Sequence, residues 1–171
     1  MSAVWPHPPY AEDQPHSHLI LTTHVLHRGF QTGAILGPLI GALRYTLLPR
    51  RSPLSIPPPP FLPPLLRSTG TGALLGTGIL GLALIGRMRG REDIEWRDRA
   101  WRLLGNRGQV EVDGWSVGGM VGGGVAAGVW GRGRGLGVRG VVGSVGMGGT
   151  VGVVGYLGWR YGVRGGRWEG E

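Results

Sequence analysis

Ser68–Gly86 reads STGTGALLGTGILGLALIG, nineteen residues without a charge. The stretch is close to the roughly 20 residues that a helix needs to cross a hydrocarbon core. Leu74, Leu75, Ile79, Leu80, Leu82, Leu84 and Ile85 each favour insertion by about 0.3–0.6 kcal/mol, roughly 2–4 kcal/mol together. The interspersed Gly and Thr offset part of that. This stretch reads as a transmembrane helix, and it decides the solvent in which the chain folds.

Three further windows share the pattern: Gly29–Leu43, Gly114–Gly131 and Gly140–Trp159. All 18 basic and all 10 acidic residues lie outside the four windows. Arginine stands at nearly every edge: Arg28 and Arg44, Arg67 and Arg87, Arg132, Arg139 and Arg160. A charge at the bilayer centre costs about 2.5–3.5 kcal/mol on insertion scales, so membrane spans exclude charge and flank themselves with it. The expected fold is all-α: a small polytopic membrane protein with about four Gly-rich transmembrane helices and a short amphipathic interfacial helix.

The composition agrees. The 171 residues fit one domain. Net charge is +8, with no lysine, and the chain carries 36 Gly and 13 Pro. Gly in a helix costs about 1 kcal/mol relative to Ala in water, so such a chain makes a poor soluble core. In lipid every backbone group must be satisfied internally, which enforces helices, and Gly lets their backbones approach closely. The absence of Cys removes disulfides, thiolate nucleophiles and Cys-based metal sites. The N-terminus lacks the basic and apolar regions of a secretory signal and the Arg-rich, acid-poor pattern of a cleaved presequence. Targeting information is therefore expected to be internal.

The chain divides into seven regions. Residues 1–18 form a polar arm with Pro and His, and 19–48 form the first transmembrane region. That region's window has only fifteen residues, so it borrows from Leu19–His27 or Tyr45–Leu48, with Arg28 or Arg44 snorkelling to the interface. Pro38 should kink it. Residues 49–67 form a Pro-rich, polyproline-like loop, more a rigid spacer than a ligand for a Pro-binding module. Residues 68–86 are the second span. Residues 87–113 are a charged loop, within which Glu92–Leu104 forms an amphipathic helix with Ile94, Trp96, Ala100, Trp101, Leu103 and Leu104 on one side. That side suits a membrane surface or a partner, and equally an ordinary helix packed on its own protein. Residues 114–160 form the third and fourth spans as a hairpin, and 161–171 a polar tail.

Glycines at four-residue spacing line one helix face and offer a groove to a neighbour. Gly29, Gly33, Gly37 and Gly41 are the only glycines of the first window and fall in strict register. Gly72 and Gly76, Gly118 and Gly122, and Gly148 and Gly152 extend the pattern to the other spans. There, high Gly content also produces the spacing by chance. The expected membrane-interface anchors are Arg67, Arg87, Trp96, Trp101, Trp115, Trp130, Trp159 and Arg160, since Trp and Arg favour the headgroup level.

With four spans, the termini and residues 87–113 share one side, and the loops 44–67 and 132–139 face the other. Those two loops hold seven Arg and no acid, against eleven Arg and all ten acids opposite. Net charge places the Arg-only loops on the negative side of the membrane. A count of Lys and Arg alone does not separate the sides.

Little points to chemistry. No window holds Asp, Glu, His, Lys or Arg, which argues against transport through the chain alone. All five His are N-terminal: His7, His16, His18, His24 and His27. Without Cys or a carboxylate cluster they read as a polar tail and a helix flank rather than metal ligands. Two GxGxxG strings, at 76–81 and 135–140, lack the strand-turn-helix setting of a dinucleotide site. Arg132-Gly-Arg134 and Arg164-Gly-Gly resemble RGG fragments of RNA-binding tails, but their apolar flanks make them span-end anchors. No cofactor, metal or nucleic-acid partner is expected.

The segments PHPPYAEDQP (6–15), FQTGAILG (30–37), GQVEVDGWSVGGM (108–120) and GYLGWRYGVRGG (155–166) resemble a fungal family of accessory membrane subunits (NUXM type) of mitochondrial respiratory complex I. The resemblance implies a non-catalytic subunit of the membrane arm of NADH:ubiquinone oxidoreductase in the mitochondrial inner membrane. Its partners would be other membrane-arm subunits and phospholipid. The four-span, Gly-rich plan is also similar to the inner-membrane preprotein translocase channel family. There the termini face the intermembrane space and basic loops face the matrix. This chain departs from that family in lacking Cys and acidic residues within its spans.

Overall fold

The structure, a computed structural model, describes residues 5–47, 61–131 and 136–167. Among them there are five α-helices and no strand: α1 (Ser17–Leu47), α2 (Leu62–Met88), α3 (Asp93–Gly105), α4 (Arg107–Trp130) and α5 (Gly137–Leu157). A π-helical turn, Gly158–Val163, continues α5. The all-helical expectation holds. Two helical stretches, Leu62–Met88 and Gly137–Val163, are long and apolar enough to cross a membrane.

Helix boundaries run past the charge-free windows. The first helix takes up Leu19–His27 and Tyr45–Leu47 and carries Pro38 inside it. The second starts six residues before Ser68, so 62–67 belong to the helix rather than to the Pro-rich loop. Pro63 and Pro64 fit its first turn because no intrahelical N–H partner is needed there. The polyproline expectation for 48–60 and the basic connection 132–135 lie outside the described residues. Gly90, at φ 73°, turns the chain after α2, a left-handed position that favours Gly. Asn106 alone separates α3 from α4, and its side chain caps α4 by accepting from the Gln109 N–H at 3.2 Å.

Three seams build the bundle, and each brings backbone against backbone. In the antiparallel pair α1/α2, a Cβ on Gly29, Gly33 or Gly37 would strike the carbonyl of Gly76, Gly72 or Ser68. Ser68 adds a hydrogen bond from its Oγ to the Gly37 carbonyl at 2.7 Å. Gly41 lies against the Ser68 side chain. In α4/α5, Gly119 meets the Gly148 carbonyl, Gly123 meets that of Ser144, and Gly152 meets that of Trp115. In α2/α5, Gly70 abuts the Arg139 carbonyl and Gly143 that of Leu66. Ala34, Thr69, Ala73 and Gly146 are buried where α1, α2 and α5 meet.

The helix α4 uses a different glycine row from the expected one. Nothing lies within 4 Å of a Cβ on Gly118 or Gly122, and the seam runs through Gly119 and Gly123. A step of one residue turns the helix by about 100°, enough to move a row off the contact.

The helix α3 lies across the end of the bundle where α1 starts. Ile20, Ala100 and Leu104 form a small core there, with Trp5 and Leu103 against it. The fold therefore has a glycine-seamed bundle and, at one end, a lid made of α3 and the N-terminal arm.

Candidate functional site

The fourth side of the bundle, between α1 and α4, has no close backbone seam. Long polar side chains bridge it instead. Asp113, 4 % exposed, accepts from Arg28 Nη2 at 2.6 Å and lies 3.4 Å from His24 Nδ1. Gln109, one turn before Asp113 on α4, donates to the same carboxylate at 3.3 Å. One turn deeper, Ser116 Oγ meets His27 Nε2 at 3.2 Å and accepts from Gln31 Nε2. Arg28 also reaches Gln31 Oε1 on its own helix.

Helical spacing explains the constellation. His24, Arg28 and Gln31 share one face of α1, and Gln109, Asp113 and Ser116 share one face of α4. The small void beside Asp113 and His24 is about 10 Å³, the lower limit for one water. The buried carboxylate has a guanidinium and hydrogen-bond donors around it, which a buried charge requires. The arrangement is a latch between α1 and α4. Among the described residues no group of three or more His, Asp and Glu could hold a metal ion.

A second charge is buried in the π-helical turn that follows α5. Arg160, expected as an interface anchor, is 4 % exposed. Its guanidinium donates to the carbonyls of Gly166 at 3.0 Å and Arg167 at 3.2 Å and lies 3.8 Å from Glu111. Gly165 and Gly166 have φ of 59° and 82°, so the RGG string bends the chain back over Arg160. Arg164 stacks over the Trp159 ring at 4.3 Å. The tail thus folds onto the end of its own helix.

Two more expected anchors are covered by the chain itself. Trp96 stacks on His18 at 4.2 Å, and Trp101 stacks on His7 at 5.2 Å and donates to the Pro8 carbonyl at 2.9 Å. Arg97 donates to the Glu12 carbonyl at 2.6 Å. The indoles of α3 hold the N-terminal arm, so both are half-buried rather than free to reach a headgroup layer. Next to them His18 pairs with Asp93 at 2.9 Å. That hydrogen bond, with help from Arg97, holds the Asp93 carboxyl below the usual carboxylate range. Trp115 packs at an angle against Tyr156 and Trp159. Trp130, Arg67 and Arg87 are exposed.

Comparison with known proteins gives a family and no function. Residues 11–155 match the family described as "Protein of unknown function (DUF1757)". The match covers most of the chain, which therefore belongs to that family. No curated protein matches the chain. No solved structure matches it either.

Proposed function

We propose that this member of the family spans the membrane four times, through α1, α2, α4 and α5. It serves as a non-catalytic accessory subunit of the membrane arm of mitochondrial NADH:ubiquinone oxidoreductase (complex I). It lies in the inner membrane with its termini on the intermembrane-space side.

One observation carries the scaffold reading: the bundle is inside out. Its seams consist of Gly, Ala, Ser and Thr, while its large apolar side chains point outward. Leu39, Ile40 and Leu43 of α1, and Leu74, Leu75, Ile79 and Leu82 of α2, are exposed. In water such faces would aggregate. In a bilayer they meet lipid or neighbouring helices, and the small-residue seams supply the packing that holds helices together there.

The threonine hydroxyls and the latch residues already have partners, which favours a scaffold over a conduit. Thr69 and Thr77 bond to carbonyls of their own helix. The latch residues bond to one another. The assignment to complex I rests on the sequence strings named above, together with this architecture.

The test is a tagged copy solubilised from mitochondrial membranes in mild detergent, with co-purifying proteins identified by mass spectrometry. Complex I subunits in stoichiometric yield are the expected result. Recovery of preprotein translocase components, or of no partner, overturns the assignment. Extraction by alkaline carbonate would overturn the membrane reading itself.

A further inference from the structure

The described residues leave an apolar groove between α2 and α4 unfilled. It lies between the first turns of α2 and the outer half of α4, with α5 as its floor. Its volume is about 550 Å³, within the range of about 300–1,000 Å³ common for ligand cavities. Leu62, Leu66, Gly122, Ala126, Trp130 and Met147 are among its walls. Ser144 also lines it, but its hydroxyl is bonded to the Gly140 carbonyl at 3.0 Å. The lining therefore offers an apolar occupant no unpaired hydroxyl.

Shape selects the kind of occupant. Along α5 the groove runs from Leu136 to Val151, about 22 Å at about 1.5 Å per residue. A volume of about 550 Å³ spread over that length makes a long, narrow groove, a shape that suits a hydrocarbon chain better than a helix about 10 Å across. The length exceeds one leaflet, about 15 Å of a hydrocarbon core of about 30 Å.

Charge selects the headgroup. The groove reaches the ends of α2 and α5 where both helices begin and the end of α4 where that helix stops, so two positive dipole ends and one negative end lie there. Arg67 and Arg139, both exposed, occupy the first two turns of these helices. Among the described residues no acid lies at this end, because those acids fall in the N-terminal arm, in α3 or just before it, or in the first turns of α4.

We infer that the groove between α2 and α4 holds an acyl chain of an anionic phospholipid, with its headgroup against Arg67 and Arg139. The inference rests on the four-span reading above but not on the identity of the protein's partners.

The test uses the full chain in mild detergent, exchanged into phosphatidylglycerol or phosphatidylcholine of equal chain length, washed, and weighed by native mass spectrometry. The parent retains phosphatidylglycerol in preference to phosphatidylcholine. Gly122→Trp fills the groove from a position where nothing lies within 4 Å of a Cβ. Displacing even two methylenes lowers retention by about tenfold. Ala126→Phe does the same from the next turn. Gly78→Trp, on α2 and also facing open space, retains lipid like the parent. Arg139→Gln removes the preference for the anionic lipid.

A parent that retains neither lipid, or equal retention by Gly122→Trp, Ala126→Phe and the parent, overturns the inference. A photo-crosslinker on Gly122→Cys, in a chain with no other Cys, adds a lipid's mass if the inference holds. An adduct of a protein's mass overturns it. Alkaline carbonate extraction of the same membranes separates the two failures. A chain that stays in the pellet but retains no lipid loses this inference alone, whereas an extracted chain loses the membrane reading as well.

Discussion

Neighbouring glycines in α4 should respond to the same substitution in opposite directions. Gly123→Ala places a methyl on the Ser144 carbonyl of α5, with the Gly148 Cα behind it. Neither atom belongs to a flexible side chain, so the two helices must separate. Gly122→Ala, one residue earlier, places the same methyl in open space. Both changes add the same helix propensity, about 1 kcal/mol, so the comparison between them cancels it. What remains is the overpacking cost, about 1–3 kcal/mol.

For a chain of this size, each kcal/mol moves the melting temperature by about 2–4 °C, so the two variants should differ by roughly 2–12 °C. Gly122→Ala should melt at or above the parent. Gly119 and Gly118 form a second pair with the same logic. The assay is thermal unfolding in mild detergent, followed by near-UV circular dichroism. Equal melting of Gly123→Ala and Gly122→Ala would refute the α4/α5 seam. The reverse order would restore the row through Gly118 and Gly122.

The latch gives another test. Asp113→Ala leaves Arg28 unpaired and should cost about 3–5 kcal/mol, at the lower end because the Arg28 side chain is 26 % exposed. An Asp113→Leu, Arg28→Met double variant should recover most of that in the same melt, and no recovery would show that the pair is not the coupling. At the lid, Asp93 has a folded pKa below its unfolded value, so its contribution is present above the unfolded value of about 3.9 and lost as pH falls through the lower folded value. Acid should release the His18–Trp96 stack in the parent, read as a change in Trp96 fluorescence. Asp93→Asn should remove that step, and an unchanged acid transition would place its origin elsewhere. Arg160→Gln should loosen residues 164–167, detected as faster cleavage of the tail by protease with the bundle intact. Parent-like cleavage would mean that Arg160 does not hold the tail.

The charge-free windows made the number and order of the long helices legible, because excluding charge is a property of whole segments. Glu92–Leu104 was legible for the same reason: its apolar side repeats over three turns. The glycine row of α1 was readable because its window has no competing glycine. Window three has glycines at 118 and 122 and again at 119 and 123, and spacing alone cannot choose between two rows on one helix.

The latch was missed through a different route. Arg28 and Asp113 each stand one residue before a charge-free window, where charge patterning alone gives neither a partner. Yet α1 and α4 run in the same direction, so the residues just before their windows lie at the same depth. An arginine and an aspartate at matching depth on adjacent helices are better satisfied by each other than by separate excursions to the interface, since each supplies what the other's burial requires. Arg160, directly after window four, and Glu111, just before window three, follow the same rule on an antiparallel pair. Edge charges of opposite sign at equal depth thus carry contact information that a tally of charges per loop discards. In this chain Arg28 and Asp113 single out the side of the bundle that glycine does not close.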